Sequence, residues 1–311
     1  MTYDNFKEPL ASVIVITYNS EKYVLETLES TKNQTYKNIE LIISDDCSSD
    51  RTIDICESWL KKNKSHFRNS MILKSSENLG TVKNMNKGYQ FASADWLKFI
   101  AGDDILLNNC IEDLVFYCKT HPSCEILFGK VNILSGKNIF PYQNLEISTA
   151  TENDQKKLVY HGSGLPAPGC MLSKKILDRF NGFDESYFLM EDVPFWIKVV
   201  NEGIKIHFSE DTVVNYRRHG SNVHTINKNE FYINKSYFRD AEKLIKREIL
   251  PYLLEHRDYF MALHYYNYLL ISQLVLFFGN RNNFLSKMLN LFILRTTVLR
   301  IRNKVMTLIS S

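Results

Sequence analysis

Residues 99–107 read FIAGDDILL. The apolar run 96–100 that leads into them has the length of a buried strand. It stops at Ala101-Gly102, two carboxylates follow at once, Asp103 and Asp104, and apolar residues resume behind them. Adjacent aspartates repel each other, and neither is expected to be buried bare. A site made of Asp and little else favours a hard divalent ion, Mg²⁺ or Mn²⁺, with its other ligands drawn from water and a substrate phosphate. A solvated turn with a helix cap would explain an isolated Asp-Asp equally well. The surrounding chain decides between the two.

Upstream, residues 12–17 (SVIVIT) form a β-branched run of buried-strand length, ending in Tyr18-Asn19-Ser20. Residues 23–30 read as a helix. Residues 39–43 are a second strand, closed by Ser44-Asp45-Asp46, and Ser48-Ser49-Asp50 offers a cap to a helix that places Ile53, Cys56 and Leu60 on one face. Residues 70–73 are a third strand, closed by Lys74; 81–91 are helical, and 96–100 are the fourth strand. Behind the acids, Ile111, Leu114, Val115 and Cys118 keep the spacing of an amphipathic helix.

This alternation predicts an α/β fold with a mostly parallel central sheet flanked by helices. Ligands of such sheets bind outside the carboxyl ends of the strands. Tyr18-Asn19, Asp45-Asp46, Lys74 and Asp103-Asp104 are therefore expected along one edge. No G-x-G-x-x-G follows the first strand and there is no G-x-x-x-x-G-K-[ST]. A nucleotide here would be held by acids, a metal and loops.

Further on, 126–131 read as a fifth strand, 132–160 as a polar excursion from the core, 162–169 (GSGLPAPG) as a loop, 170–173 as a strand and 174–180 as a helix closed by Asn181-Gly182. In 183–200 (FDESYFLMEDVPFWIKVV) the helical spacing of Val193, Trp196, Ile197 and Val200 puts Glu191 and Asp192 in a first turn, where the helix dipole favours acids. That explanation suffices for Glu191; for Asp192 the context points to catalysis. Residues 204–208 and 213–217 read as two strands. The segment Arg217-Arg218-His219 through His224 reads as a phosphate-facing flap.

The chain has 311 residues, 44% hydrophobic and 23% charged, with a formal net charge of +3 that is too small to imply nucleic acid. After Asp258 there is no acidic residue but there are six basic ones: Arg281, Lys287, Arg295, Arg300, Arg302 and Lys304. Six cysteines without a C-x-x-C pair predict neither a zinc site nor a disulfide framework. The first ten residues lack the order of a signal peptide, and a cytosolic protein is expected.

Taken in order, SVIVITYNSEKYVLETLES, IELIISDDCSSDRT, ENLG, FIAGDD and GFDESYFLMEDVPFWIKV resemble the nucleotide-diphosphosugar glycosyltransferases of family 2, over residues 10 to about 220. The resemblance implies a GT-A fold and an inverting transfer of a sugar from a nucleotide-sugar donor, with a UDP-sugar the first expectation. It implies that Asp46, with Asp45, contacts the base; that Thr17, Tyr18 and Asn19 line base and ribose; that Lys74 and Asp104 contact the nucleotide; and that Asp103 binds the metal. Asp192 matches the general base, with Glu191 beside it on the acceptor side. His219 lies where some members place a further metal contact. Where the family commonly carries an acid two residues before the metal-binding Asp, this chain has Ala101.

The expected acceptor is a glycan or lipid-linked saccharide of surface polysaccharide synthesis. The domain expectation is a catalytic unit over 1–225 and a helical region over 226–311. The apolar run 265–278 falls short of the ~20 residues a spanning helix needs. The basic, acid-free tail suits either packing on the core, with a homodimer contact open, or an anionic membrane surface on the inner face of the cell membrane. Two other readings stay open: a nucleotidyltransferase, whose Gly- and Arg/Lys-rich first loop TYNSEK matches poorly, and a non-catalytic nucleotide- or sugar-binding subunit.

Overall fold

The structure is a computed structural model that describes residues 8–142, 147–162, 164–219, 233–281 and 283–291. The chain divides into two compact units, Met1–Arg218 and His219–Ser311.

The first unit is built on one sheet. Its elements run β1 (Ala11–Thr17), α1 (Val24–Lys32), β2 (Ile39–Asp45), α2 (Thr52–Asn63), β3 (Asn69–Lys74), α3 (Thr81–Phe91), β4 (Trp96–Ala101), β5 (Ile105–Leu106), α4 (Cys110–Thr120), β6 (Ile126–Ser135), β7 (Asn138–Tyr142), α5 (Glu152–Tyr160), β8 (Cys170–Ser173), α6 (Lys174–Phe180), α7 (Asp192–Asn201) and β9 (His207–Arg217). The sheet order is β3-β2-β1-β4-β8-β6-β9-β5, with β7 paired to β6. The β3-β2-β1-β4 half is parallel, as the strand–helix alternation predicts. From β8 on the sheet is mixed: β8 is antiparallel to both β4 and β6, and β6 returns to a parallel pairing with β9. Both faces of β1 and β2 are covered, so Val13 and Ile14, like Leu41 and Ile42, are fully buried and the strands read as continuous apolar runs.

Three local expectations change. The α2 seam is Thr52, Cys56 and Trp59, while Ile53 and Leu60 are only half-buried. Residues 132–160 are no excursion: β6 runs on to Ser135, β7 folds back on it, and the buried Gln155 of α5 exchanges hydrogen bonds with both backbone groups of Ile206 (2.9 and 3.0 Å). The two strands expected over 204–217 are one. Its polar centre, Ser209 to Thr212, is an irregularity opposite Lys130, where the register with β6 shifts. All six cysteines are free thiols.

The second unit comprises α8 (Lys235–Leu244), a π-helical stretch (Ile245–Ile249), α9 (Leu250–Glu255), α10 (Tyr259–Phe277) and α11 (Phe284–Leu291). Asn280 ties down its entry, exchanging hydrogen bonds of 2.8 Å with both backbone groups of Ile233. The helix over the apolar run starts earlier than the sequence reading has it. At 19 residues, α10 is long and apolar enough to cross a membrane by length and composition. Residues 292–311 lie outside the described residues.

Candidate active site

The parallel register decides which residues meet. Thr17 pairs with Asp45 and Asp45 with Lys74 across three strand ends, and Ile16 pairs with Ala101 at the head of the acidic turn. The chain leaves each strand on the same edge, where unsatisfied backbone groups and polar side chains gather.

Asp45 is spent on building that edge. Its carboxylate accepts from the Thr17 hydroxyl (2.7 Å), the Ser48 hydroxyl (2.6 Å) and the Ser48 N–H (2.8 Å). Asn19 adopts a left-handed conformation (φ 51°), accepts the Ser49 N–H (2.8 Å) and donates its own N–H to the Ser48 hydroxyl (2.8 Å). Together these bonds lock the loop after β1 to the loop after β2. Tyr18, between them, is 51% exposed. Asp46 accepts the N–H groups of Leu79 and Gly80, each at 2.8 Å, and so fixes the ENLG segment. Burial raises its pKa, and those two N–H donors work against the rise. The Lys74 ammonium pairs with Glu57 of α2.

Gly102 brings the acidic turn against the first loop. Its N–H donates to the Ile16 carbonyl (2.8 Å), and a Cβ there would lie 2.9 Å from Thr17 Cγ2. Asp103 remains half-buried, whereas Asp104 is fully buried. The carboxyl of Asp104, expected against the nucleotide, therefore sits inside the protein. One of its oxygens accepts the Arg217 N–H (2.8 Å), and the other, Oδ2, has no partner among the described residues. Burial, then the neighbouring Asp103, pushes its pKa well above the usual carboxylate range. This departs from the expectation that neither acid is buried bare: a protonated carboxyl removes most of the penalty.

Arg217 clamps this turn. Its Nε donates to the Asp103 carbonyl (2.8 Å), its Nη2 to Glu26 Oε2 (2.6 Å), and its guanidinium lies 4.7 Å from the Tyr23 ring centre. Arg217 is thus the last residue of β9 and not part of a flap. Arg218 and His219 follow it; residues 220–224, including His224, lie outside the described residues.

The opposite wall hangs on α3 and α7. Asn84 donates to the Ser44 carbonyl (2.9 Å) and accepts the Ser44 hydroxyl (2.6 Å). Asn86 accepts the Phe183 N–H (2.8 Å) and donates to the Phe183 carbonyl (2.9 Å). Gly80 (φ +88°) lets the Phe188 carbonyl approach to 2.5 Å of where a Cβ would stand. Phe183 then packs edge-on against Phe99 of β4 (5.5 Å) and at a tilt against Phe195 of α7 (5.1 Å), and Trp196 continues the cluster to Phe128 (5.2 Å). The strand that leads into Asp103 and the helix that begins with Asp192 are therefore packed through shared aromatic rings.

Glu191 precedes α7, and Asp192 opens it, one carboxylate oxygen accepting the Val193 N–H (2.7 Å). A cavity of about 20 Å³ borders both acids, Phe99 and Ala167. Tyr216 of β9 feels Asp104, Asp103 and Asp192 together; burial and then these acids push its hydroxyl up to about 12.

Sequence reasoning passed over Asn84, Asn86, Tyr216 and the buried Lys98. The Lys98 ammonium donates to the carbonyls of Pro168, Cys170 (3.1 Å) and Phe99 (3.2 Å), and burial lowers its pKa. Among the described residues no three His, Cys, Asp or Glu side chains form a ready cation cage. The half-buried carboxylate of Asp103 suits a hard cation that takes its remaining ligands from a diphosphate and water.

A sheet of this order, with acids at the ends of β2 and β4 and a further acid opening α7, defines a GT-A fold and a nucleotide-sugar glycosyltransferase. The chain belongs to glycosyl transferase family 2, whose model matches residues 12–180. It is 28% identical over 257 residues to an uncharacterized glycosyltransferase of Haemophilus influenzae, covering 79% of this chain and 75% of that one. It is 27% identical over 216 residues to the Escherichia coli UDP-Glc:alpha-D-GlcNAc-diphosphoundecaprenol beta-1,3-glucosyltransferase WfaP, covering 69% of this chain and 79% of WfaP. Among solved structures, Staphylococcus aureus TarS 1-349 in complex with UDP-GlcNAc superposes with a TM-score of 0.58 at 23% identity, over 68% of this chain and 60% of that one.

Proposed function

We propose that this chain is an inverting glycosyltransferase that moves a sugar from a UDP-sugar to a hydroxyl of a glycan or lipid-linked saccharide during surface polysaccharide synthesis. The observation that carries this reading is geometric: the acidic turn after β4 lies against the Thr17 loop, and the helix that opens with Asp192 is packed onto β4 through Phe99, Phe183 and Phe195. A leaving diphosphate needs its charge offset on one side, and an attacking hydroxyl needs a base on the other.

In this reading the loop of Thr17, Tyr18 and Asn19 and the Asp45-Asp46 pair shape the base and ribose site. The Asp45 bonds to Thr17 and Ser48 hold that loop, and the Tyr18 ring supplies contact area. Lys74 flanks the nucleotide at the neighbouring strand end. Asp103 holds Mn²⁺ or Mg²⁺, which when bound supplies positive charge to the diphosphate, and His219 is a further candidate contact. Asp104 keeps the turn in place from inside. Asp192 accepts the proton of the acceptor hydroxyl as its oxygen attacks the anomeric carbon and the bond to the diphosphate breaks; Glu191 lies on the acceptor side. One displacement inverts the anomeric centre, so an α-linked donor gives a β-linked product. The UDP-sugars in the names of WfaP and of the TarS complex favour UDP as carrier. A lipid-linked acceptor would place the enzyme at the cytoplasmic face of the cell membrane.

Calorimetry with UDP, GDP and CMP, each with Mn²⁺ and with chelator, tests the site. Metal-dependent UDP binding that Asp103→Ala loses, and that Asp192→Asn keeps while transfer is abolished, is the expected result. Near-normal turnover by Asp192→Asn would remove the base assignment. Binding without turnover in the wild type, with acceptors supplied, would favour a non-catalytic subunit.

A further inference from the structure

The second unit carries a surface that the proposed chemistry does not use. None of the 19 residues of α10 is Asp, Glu, Lys or Arg. Its inner face is packed: Ala262, Tyr265, Leu269 and Val275 are buried. Its outer face is also apolar. Tyr259, Phe260, Leu263, Tyr266, Leu270 and Phe277 are all more than half exposed, with Phe277 at 82%. From Leu263 the exposed positions, Leu263, Tyr266, Leu270, Gln273 and Phe277, recur every three or four residues, which on an α-helix makes one stripe, apolar at every position but Gln273. The next helix also exposes an aromatic residue, Phe284, at 78%. Soluble monomers rarely leave such a contiguous patch uncovered.

Two occupants could cover it, a second copy of this face or a lipid surface, and charge selects between them. Beyond Asp258 the chain has six basic residues and no acid, and Arg281 and Lys287, which flank the stripe in sequence, are exposed. A second copy of this face would bring like charges together, whereas an anionic lipid surface complements them. Tyr side chains are suited to the headgroup boundary, where one end of the ring is apolar and the other wet, and Phe and Leu to the acyl region just beneath it. By length and composition the helix could also span, and what argues for the interface is its one-sided packing: Ala262, Tyr265, Leu269 and Val275 are buried in the protein, and Gln273 is held by Glu242 of α8 (2.8 Å). A helix packed on one side and apolar on the other lies in the interface.

We propose that the outer face of α10 is the surface by which this chain lies on an anionic lipid bilayer. The inference gives the membrane location in the proposed function a structural element, and it fails independently of the chemistry.

Sedimentation of the full-length chain with vesicles tests it. The wild type is expected to pellet with phosphatidylglycerol-containing vesicles and to stay in solution with pure phosphatidylcholine. Raised salt is expected to release it, and Arg281→Ala and Lys287→Ala each to weaken partitioning about five-fold. The double variant Leu263→Glu, Leu270→Glu is expected to stay in solution with an unchanged melting curve and unchanged UDP binding. If it unfolds, Phe277→Ser reads the same face from its most exposed position. A wild type that ignores anionic vesicles, or a folded variant that pellets like the wild type, overturns the proposal. So does a wild-type dimer that the variant splits without altering pelleting, which would assign the face to a second copy. Resistance of the wild type to salt and alkaline extraction would assign α10 to a span and also overturn it.

Discussion

Asn86 grips Phe183 by both backbone groups, accepting its N–H at 2.8 Å and donating to its carbonyl at 2.9 Å, so that a helix side chain takes the part of a neighbouring strand. Two residues earlier on α3, Asn84 does the same kind of work at Ser44. Helix α3 therefore joins the strand ends of the donor side to the segment that leads to Asp192.

Asn86→Ala leaves the N–H and carbonyl of Phe183 without partners in a buried setting. At about 1–3 kcal/mol for each orphaned group, the expected loss is about 3 kcal/mol of stability. The same change loosens the approach to α7, so kcat should fall while UDP affinity holds. Denaturant melts and steady-state kinetics on one preparation check both; an equal loss in UDP affinity would place the effect on the donor side instead.

Gly102→Ala puts a methyl group 2.9 Å from Thr17 Cγ2 and 3.0 Å from Ser20 Oγ. The acidic turn must then move away from the first loop. Overpacking of this kind costs about 1–3 kcal/mol, and it displaces Asp103 relative to the nucleotide loop. Calorimetry should show weaker metal-dependent UDP binding, with the metal-independent component less affected.

What the sequence disclosed depended on how local the determinants were. Helix α3, strand β8 and helix α6 begin and end where they were read, because their boundaries are set by neighbours: Gly80 ahead of α3, the Ser173 cap and the left-handed Asn181 around α6. The placing of Thr17, Asp45 and Lys74 at neighbouring strand ends also followed from the strand–helix alternation, which implies parallel pairing. Strand β9 was split because Ser209-Glu210-Asp211-Thr212 has the composition of a turn, and only its pairing with β6, about eighty residues away in sequence, keeps it in the sheet. Asn84, Asn86 and Lys98 were passed over for a related reason. A polar side chain reads as solvent-facing until its buried backbone partners are known, and those partners are distant in sequence. Asp104 shows the converse: it looks like half of an exposed pair, yet burial separates its role from that of Asp103.

His207 gives the fold an acid-sensitive point. Burial, then Lys205 and His121, lowers its pKa below the ordinary 6.5, and its ring faces Tyr117, with Tyr117 Oη 3.4 Å from Nδ1. Below the ordinary value the unfolded chain takes up a proton that the folded chain resists. The contribution of this group is thus present above pH 6.5 and is lost as pH falls through the lowered folded value. Stability should decline in mild acid by at most about 1.4 kcal/mol per pH unit from this residue, and His207→Phe should flatten the decline. Urea melts at a series of pH values read the slope directly; an unchanged slope would assign the acid sensitivity elsewhere.

Lys98 offers the sharpest opposition of two effects. Its ammonium is wholly buried, and among the described residues it bonds to the carbonyls of Phe99, Pro168 and Cys170 and to no carboxylate. Lys98→Met keeps the length of the side chain and removes the buried charge, which taken alone is favourable. It also strips the donor from three carbonyls, at about 1–3 kcal/mol each where they stay dry. The carbonyls outweigh the relief, and the expected outcome is a net loss of about 2–4 kcal/mol. The site should register the change as well, since Ala167 and Cys170 line the cavity beside Asp192. Hydrogen exchange should quicken in residues 164–170 before it does in β1 or β2, and kcat should drop with UDP binding intact. A variant more stable than the wild type would mean that burying the charge costs more than its three bonds return, and that Lys98 is kept for the geometry of that wall.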